Sequence, residues 1–330
     1  MQLTRTHGWR EPLLDWLPLV LYLGASAVAF ARWGPPFRND WTWTWVLGGL
    51  LVASLRQLRR FLRGLFVDWL PFVLALIAYD IVRGVSDTAL ATTPHALPQI
   101  DVDRFLFLGH IPTVVLQRAL YVPGHLHWWD YGVWAFYTTH YIVTAVVAAA
   151  LWRLRPERFR LFRTMVVALA FAAVATYALY PSVPPWMAGL HGQIAEVHRI
   201  PLHAAKHLGI RPIGALFERG VRASNLVAAV PSLHAAFPML LLLFFWSSGR
   251  WARLGMGVYT LLMAFSLVYG GEHYVSDVLA GWAYAVAIFW VVLDGLPRLG
   301  QLRPAPTFAQ SSPVVVPPAD EPAEEAQPLH

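Results

Sequence analysis

Cysteine is absent from the 330 residues, which excludes disulfide frameworks, thiolate metal sites and cysteine nucleophiles. Charge is scarce. Only 13% of residues are Asp, Glu, Lys or Arg, against about 25% in ordinary soluble domains. No internal repeat is visible, so the sequence lends no support to a transporter assembled from inverted repeats. A small-residue cleavage pattern is also missing after the first apolar stretch, which begins beyond Arg10 and runs into Arg32. It reads as an anchor rather than a cleaved leader.

What is abundant is apolar surface: 57% of the residues are hydrophobic, with 16 Trp and 12 Tyr. These rings favour the headgroup level of a bilayer, where one end is apolar and the other wet. Trp41, Trp43 and Trp45 read as such belt residues. The expected fold is therefore all-α, a polytopic integral membrane bundle. Apolar runs approaching or reaching the roughly 20 residues needed to cross the hydrocarbon core occur near 13–31, 41–55, 66–82, 129–152, 163–180, 230–246, 251–269 and 275–296. Gly48-Gly49 and Pro71 weaken the second and third, so six to eight transmembrane helices are expected.

Formal net charge is +6, which in a soluble chain would suggest nucleic acid. The cations sit instead beside apolar runs. With the N-terminus inside, the short inward loops hold Arg56, Arg59, Arg60 and Arg63, then Arg153, Arg155, Arg158, Arg160 and Arg163, then Arg250 and Arg253. That is the positive-inside pattern, and it makes the bilayer the partner rather than nucleic acid. The same topology places two long loops outside, near 84–128 and 181–229. In the first, 101–120 is expected as one helix on the membrane surface. The residues divide into N-terminal helices at 1–100, a catalytic membrane region at 101–300, and a disordered proline-rich, acidic cytoplasmic tail at 301–330.

Two motifs lie 39 residues apart: Pro231-Ser232-Leu233-His234 and Gly271-Glu272-His273-Tyr274-Val275-Ser276-Asp277. Each opens an apolar helix on the outer side. Ionisable residues are expensive at membrane depth, so this set marks a functional site. His273 and Asp277 are four apart, and they share a helix face if the eighth apolar helix begins at or before His273. A carboxylate one turn away can hold the imidazole Nδ1 proton, leaving Nε2 as nucleophile or base. His234, on another helix, can protonate a leaving oxygen from the opposite side. Phosphoryl transfer suits such a pair, because it needs in-line positioning and charge compensation. Cations for that purpose precede the helix that carries His234: Arg199, Lys206, Arg211, Arg219 and, nearest, Arg222. The N-terminus of the His234 helix offers amides to an anion, and Ser232 adds a hydroxyl. His140, ten residues into the fourth apolar helix, offers either a packing hydrogen bond or a substrate contact. Pro184-Pro185-Trp186 reads as a rigid loop entry with an interfacial anchor.

These residues resemble the type 2 phosphatidic acid phosphatase superfamily, and within it the inositolphosphotransferase branch that includes inositol phosphorylceramide synthase. Pro231-Ser232-Leu233-His234 is similar to the superfamily's Pro-Ser-Gly-His motif, with leucine for glycine as in that branch. His273 and Asp277 match its His-x-x-x-Asp motif. Asp103-Arg104, Pro112-Thr113, Leu116-Gln117, His140 and 181–186 are similar to stretches of bacterial members. The resemblance implies His273 as the nucleophile forming a phosphohistidine, Asp277 as its orienting partner and His234 as the acid. It implies a lipid donor, phosphatidylinositol, with no cofactor and no metal. Two features differ. The superfamily places an arginine six residues before the nucleophile, where Leu267 stands here, and its Lys-x6-Arg-Pro motif is met only by Lys206 and Arg211-Pro212 at another spacing.

The expected activity is transfer of a phosphoryl-linked headgroup from a lipid to an alcohol, at the extracytoplasmic face of the plasma membrane. A lipid phosphate phosphatase acting on phosphatidate or a polyprenyl phosphate is the near alternative. Zinc held by two histidines and an aspartate, and a channel with a histidine proton relay, are the rivals from other classes.

Overall fold

Backbone amides and carbonyls find no partners in hydrocarbon, so a chain of long apolar runs satisfies them internally as helices. The computed structural model describes residues 10–33, 39–55, 58–78, 95–208 and 228–298. Among these it is helical throughout, with isolated β-bridges and no strand. The helices are α1 (Arg10–Trp33), α2 (Asn39–Ala53), α3 (Leu58–Gly64, continued by a π-helical turn at Leu65–Trp69), α4 (Leu97–Leu106) and α5 (Pro112–Leu120). They continue with α6 (Trp128–Leu154), α7 (Pro156–Leu179), α8 (Pro185–Leu190), α9 (Ile200–His207), α10 (Leu233–Phe244), α11 (Arg250–Tyr269) and α12 (Val275–Arg298).

All eight apolar runs carry helices. Among the described residues four stretches are long and apolar enough to cross a membrane: Phe61–Ala78, Pro156–Leu179, Arg250–Tyr269 and Val275–Leu293. A fifth is α6, if its two halves, bent by 44° between His140 and Ile142, form one span. Neither glycine nor proline stands at that bend. Thr139 Oγ1 donates to the Phe136 carbonyl one turn back at 2.6 Å, a back-bond of the kind that bends helices. Leu17–Arg32, Thr44–Ala53 and Leu233–Phe244 are apolar but shorter. The protein is thus a multi-pass, all-α membrane protein.

The expected single helix at 101–120 is instead two. Leu108 (φ 54°) and Gly109 (φ 90°) take left-handed conformations between α4 and α5, and Pro112 starts the second helix where its missing N–H matters least. Both helices bury a polar face, Gln99 and Asp103 on α4, Thr113 and Gln117 on α5.

α10 packs most closely on α12 and α11, while α6 lies against α7, α9 and α11. The two ends of this bundle differ. At one, Arg158 donates to the Phe244 carbonyl at 3.0 Å and stacks on its ring, and Arg163 donates to the Asp68 carbonyl at 2.7 Å. Arg158 and Arg163, both on α7, thereby tie it to the end of α10 and to the π-helical turn. Trp69, Phe72, Trp152 and Phe159 pack beside them. At the other end three segments are stitched by their backbones. The His95 amide donates to Pro181 at 2.8 Å, Val183 to His95 at 3.0 Å, and Ala229 to Ser182 at 3.2 Å. Both motif helices start at this second end, opposite the basic loops. Trp45, expected at the headgroup level, donates from its indole to Ser26 at 2.9 Å and so joins α2 to α1. Trp41, Trp43 and the acidic tail lie outside what the structure describes of side chains and chain respectively.

Candidate active site

α11 ends at Tyr269, and the chain must reverse within five residues to begin α12. Gly271 makes this reversal: its φ is +80°, and a Cβ there would stand 2.6 Å from the His198 carbonyl oxygen. The amides of Glu272 and His273 then both donate to the Leu267 carbonyl, at 3.0 and 3.2 Å. Leu267 is fully buried, so the position where the superfamily carries arginine is here a packing residue whose carbonyl shapes the turn.

His273 emerges from this turn almost buried. Its Nδ1 lies 3.4 Å from Asp277 Oδ2, and the same oxygen accepts the Tyr274 amide at 2.9 Å. Asp277 is fully buried, so the carboxylate has no water to compete for its lone pairs. With Nδ1 facing the carboxylate, Nε2 is the ring nitrogen turned away from it. Asp103 reaches across from α4 and accepts the amides of Val275 at 3.1 Å and Ser276 at 2.9 Å.

The second motif meets the first through its backbone. Ser232 donates its amide to the Asp277 carbonyl at 3.1 Å, and the Pro231 carbonyl accepts the Tyr177 hydroxyl at 2.7 Å. Gly281, one turn beyond Asp277, lets α12 approach that close, since a Cβ there would collide with the Ser232 carbonyl. His234 then stands with its ring centroid 5.8 Å from that of His273. On its other side α6 supplies two rings three residues apart. Tyr137 stacks at 4.8 Å and 16°, and His140 lies at 4.0 Å. His140 therefore meets His234 directly.

Ser232 is fully buried, and its Oγ accepts the Ala235 amide at 3.3 Å, capping α10. Of the expected cations, Arg199 is engaged by Glu272 in a two-pronged contact, 2.6 Å from Nε and 2.9 Å from Nη2, and stacks over Trp186 at 4.9 Å. Its charge is matched beside the nucleophile candidate rather than offered to an anion. Lys206 sits in the last turn of α9. Arg211, Arg219 and Arg222 lie outside the described residues. The loop entry at Trp186 does more than anchor: its amide donates to Gly271 at 3.1 Å, so it buttresses the reversal.

Sequence reasoning gave no role to Asp103, Gln117, Tyr137 or Glu272. Gln117 donates to the carbonyls of His198 and Tyr269, both at 2.8 Å, and accepts the His198 amide at 2.8 Å. The i, i+3 spacing of Tyr137 and His140 was a legible sign that both share a face. Asp103 and Gln117 stood only in family-like stretches and Glu272 only as a residue of the His273 motif; their partners lie far along the chain, so nothing local told what they do. Among the described residues no three His, Asp or Glu side chains are grouped so as to share a metal ion.

A sequence profile of the PAP2 superfamily matches residues 100–291, more than half of the chain. A phosphoinositol dihydroceramide synthase of Bacteroides thetaiotaomicron is 26% identical over 272 residues, covering 77% of this chain and 86% of its own. The likeness to the inositolphosphotransferase branch thus has a counterpart among characterised names. No solved structure matches. With both motifs on one site and the profile spanning it, the chain belongs to the PAP2 superfamily and is a membrane enzyme of lipid phosphate chemistry, a phosphotransferase or phosphatase.

Proposed function

We propose that the protein transfers a phosphoryl-linked headgroup, phosphoinositol, from a glycerophospholipid to a long-chain amide alcohol of the dihydroceramide type. The observation that carries this is the placement of His234, on α10, and His273, in the turn before α12, with rings 5.8 Å apart and Asp277 behind the second. The relative's name and its coverage of both chains support the choice of donor and acceptor.

His273 Nε2 attacks phosphorus and displaces the diacylglycerol oxygen, which takes a proton from His234. Asp277 stabilises the positive ring that results. The acceptor hydroxyl then gives its proton back to His234 and attacks the phosphohistidine, which regenerates the free imidazole and completes the exchange. His140 and Tyr137 hold the ring of His234 between these two steps. Arg222, nearest in sequence to the Pro231–His234 motif, is the proposed phosphate-binding cation, and Ser232 acts through the α10 cap. Because the site lies at the end of the bundle opposite the arginine-rich loops, we place it on the extracytoplasmic side of the plasma membrane.

The test uses purified protein in vesicles holding phosphatidylinositol labelled in its headgroup and dihydroceramide, with His273→Ala as control. The expected result is a labelled lipid that migrates apart from the donor and is missing from the control. Labelled water-soluble inositol phosphate in its place would make water the acceptor. Phosphate release from phosphatidate, with phosphatidylinositol untouched, would make the enzyme a lipid phosphate phosphatase.

A further inference from the structure

The first amides of a helix have no partner within it and draw anions, helped by the helix dipole. At α12 two of these amides are already taken. Asp103 lies 172 residues before Val275, yet its two oxygens separately accept Val275 N at 3.1 Å and Ser276 N at 2.9 Å. Its side chain is fully buried on α4, next to Ile100 and Gln99. Burial raises the pKa of this carboxyl, while the donated amides of Ser276 and Val275 pull it back down. An inward carboxylate is costly unless such donors compensate it, so the pairing is a built contact rather than an incidental one.

The two amides it grips lie between His273 and Asp277 in the chain. The imidazole and carboxylate of that pair stand 3.4 Å apart, at the long edge of a hydrogen bond, so a small shift of this turn makes or breaks it. α4 is itself held in place: His95, just before it, is tied by backbone bonds to Pro181 and Val183. The Ser276 hydroxyl adds a weak 3.5 Å bond to the Gln99 carbonyl on the same helix.

We propose that Asp103 is a positioning residue of the active site: its carboxylate fixes the turn carrying His273 and Asp277, and fills the α12 N-terminus so that the substrate phosphoryl group binds elsewhere. This rests on the reading of His273 as nucleophile. Asp103 itself touches no reacting atom.

The experiment compares Asp103→Asn, Asp103→Glu and Asp103→Ala with the parent in the phosphatidylinositol and dihydroceramide vesicles, alongside phosphatidate hydrolysis. Thermal stability in detergent and hydrogen exchange at the Val275 and Ser276 amides are measured on the same preparations. The expected result is that Asp103→Asn lowers kcat about 10-fold to 100-fold, the scale of a misplaced catalytic group. KM stays near the parent value, Asp103→Glu recovers part of kcat, and both amides exchange faster in Asp103→Ala. A folded Asp103→Asn protein with the parent's kcat would overturn the inference, as would a loss residing in KM alone. Unchanged exchange at Val275 and Ser276 in Asp103→Ala would overturn it whatever lipid is turned over. His273→Ala separates the two readings. If that variant is active, the nucleophile assignment fails; if it is dead while Asp103→Asn is fully active, only the positioning role fails.

Discussion

The rings of His234, in the first turn of α10, and His273, in the turn that leads into α12, lie 5.8 Å apart although they are 39 residues distant in the chain. In the proposed division of labour one attacks and the other protonates, so the two should respond differently to the leaving group. His234→Ala should slow reaction on a natural lipid by about 10²-fold to 10⁴-fold, the usual value of a general acid. On a nitrophenyl phosphodiester, whose leaving oxygen needs no proton, the same variant should release nitrophenol at close to the parent rate. His273→Ala should be inactive on both. An equal loss on both substrates in His234→Ala would remove it from the acid's role.

Gly281 is where α12 runs against Ser232, and an added methyl group would meet the Ser232 carbonyl and lie 3.4 Å from the Ala236 amide. Overfilling a packed contact costs roughly 1–3 kcal/mol. Gly281→Ala should therefore lower the unfolding temperature and also cut activity by about 10-fold, because the shift separates the two motif helices. Gly255→Ala is the control, since nothing stands within 4 Å of a Cβ there. Comparable melting of the two variants would show that the helices accommodate the methyl group.

Gln117 is 5% exposed and makes three bonds to the backbone of two distant segments. Gln117→Leu keeps the bulk and strands the His198 and Tyr269 groups, each a loss of about 1–3 kcal/mol when buried. A drop of roughly 3 kcal/mol in denaturant unfolding is expected, and a change below about 0.5 kcal/mol would mean that water replaces the amide.

His203, on α9 and clear of the spanning helices, has its pKa lowered, first by burial and then by His198 and Lys206 nearby. Its neutral ring is bonded through Nδ1 to the Tyr121 hydroxyl at 2.8 Å. A depressed folded-state pKa means that the unfolded chain binds the proton more readily. Stability is therefore retained above the ordinary histidine value of about 6.5 and falls as pH drops from there toward the lowered folded value. Thermal unfolding from about pH 7.5 to about pH 5.5 should show that His203→Gln destabilises at the upper end and flattens the acid limb. A parallel offset at every pH would remove His203 from the titration.

The sequence by itself determined what depends on neighbours in the chain. Run length and the absence of charge fixed all eight apolar helices, because hydrocarbon leaves the backbone no other partner. The close spacing of His273 and Asp277 marked them as a pair, although the contact is made from the turn before α12 rather than along a helix face, and loop charge put both motifs at one end. Tertiary structure decided the rest. It broke 101–120 at Leu108 and Gly109, because the two halves must each aim a buried polar residue, Asp103 and Gln117, at a different backbone segment. It turned Arg199 toward Glu272 and brought Tyr137 and His140 onto His234. Those partners are separated by 73 to 173 residues, and contacts across such gaps leave no periodic trace in a sequence.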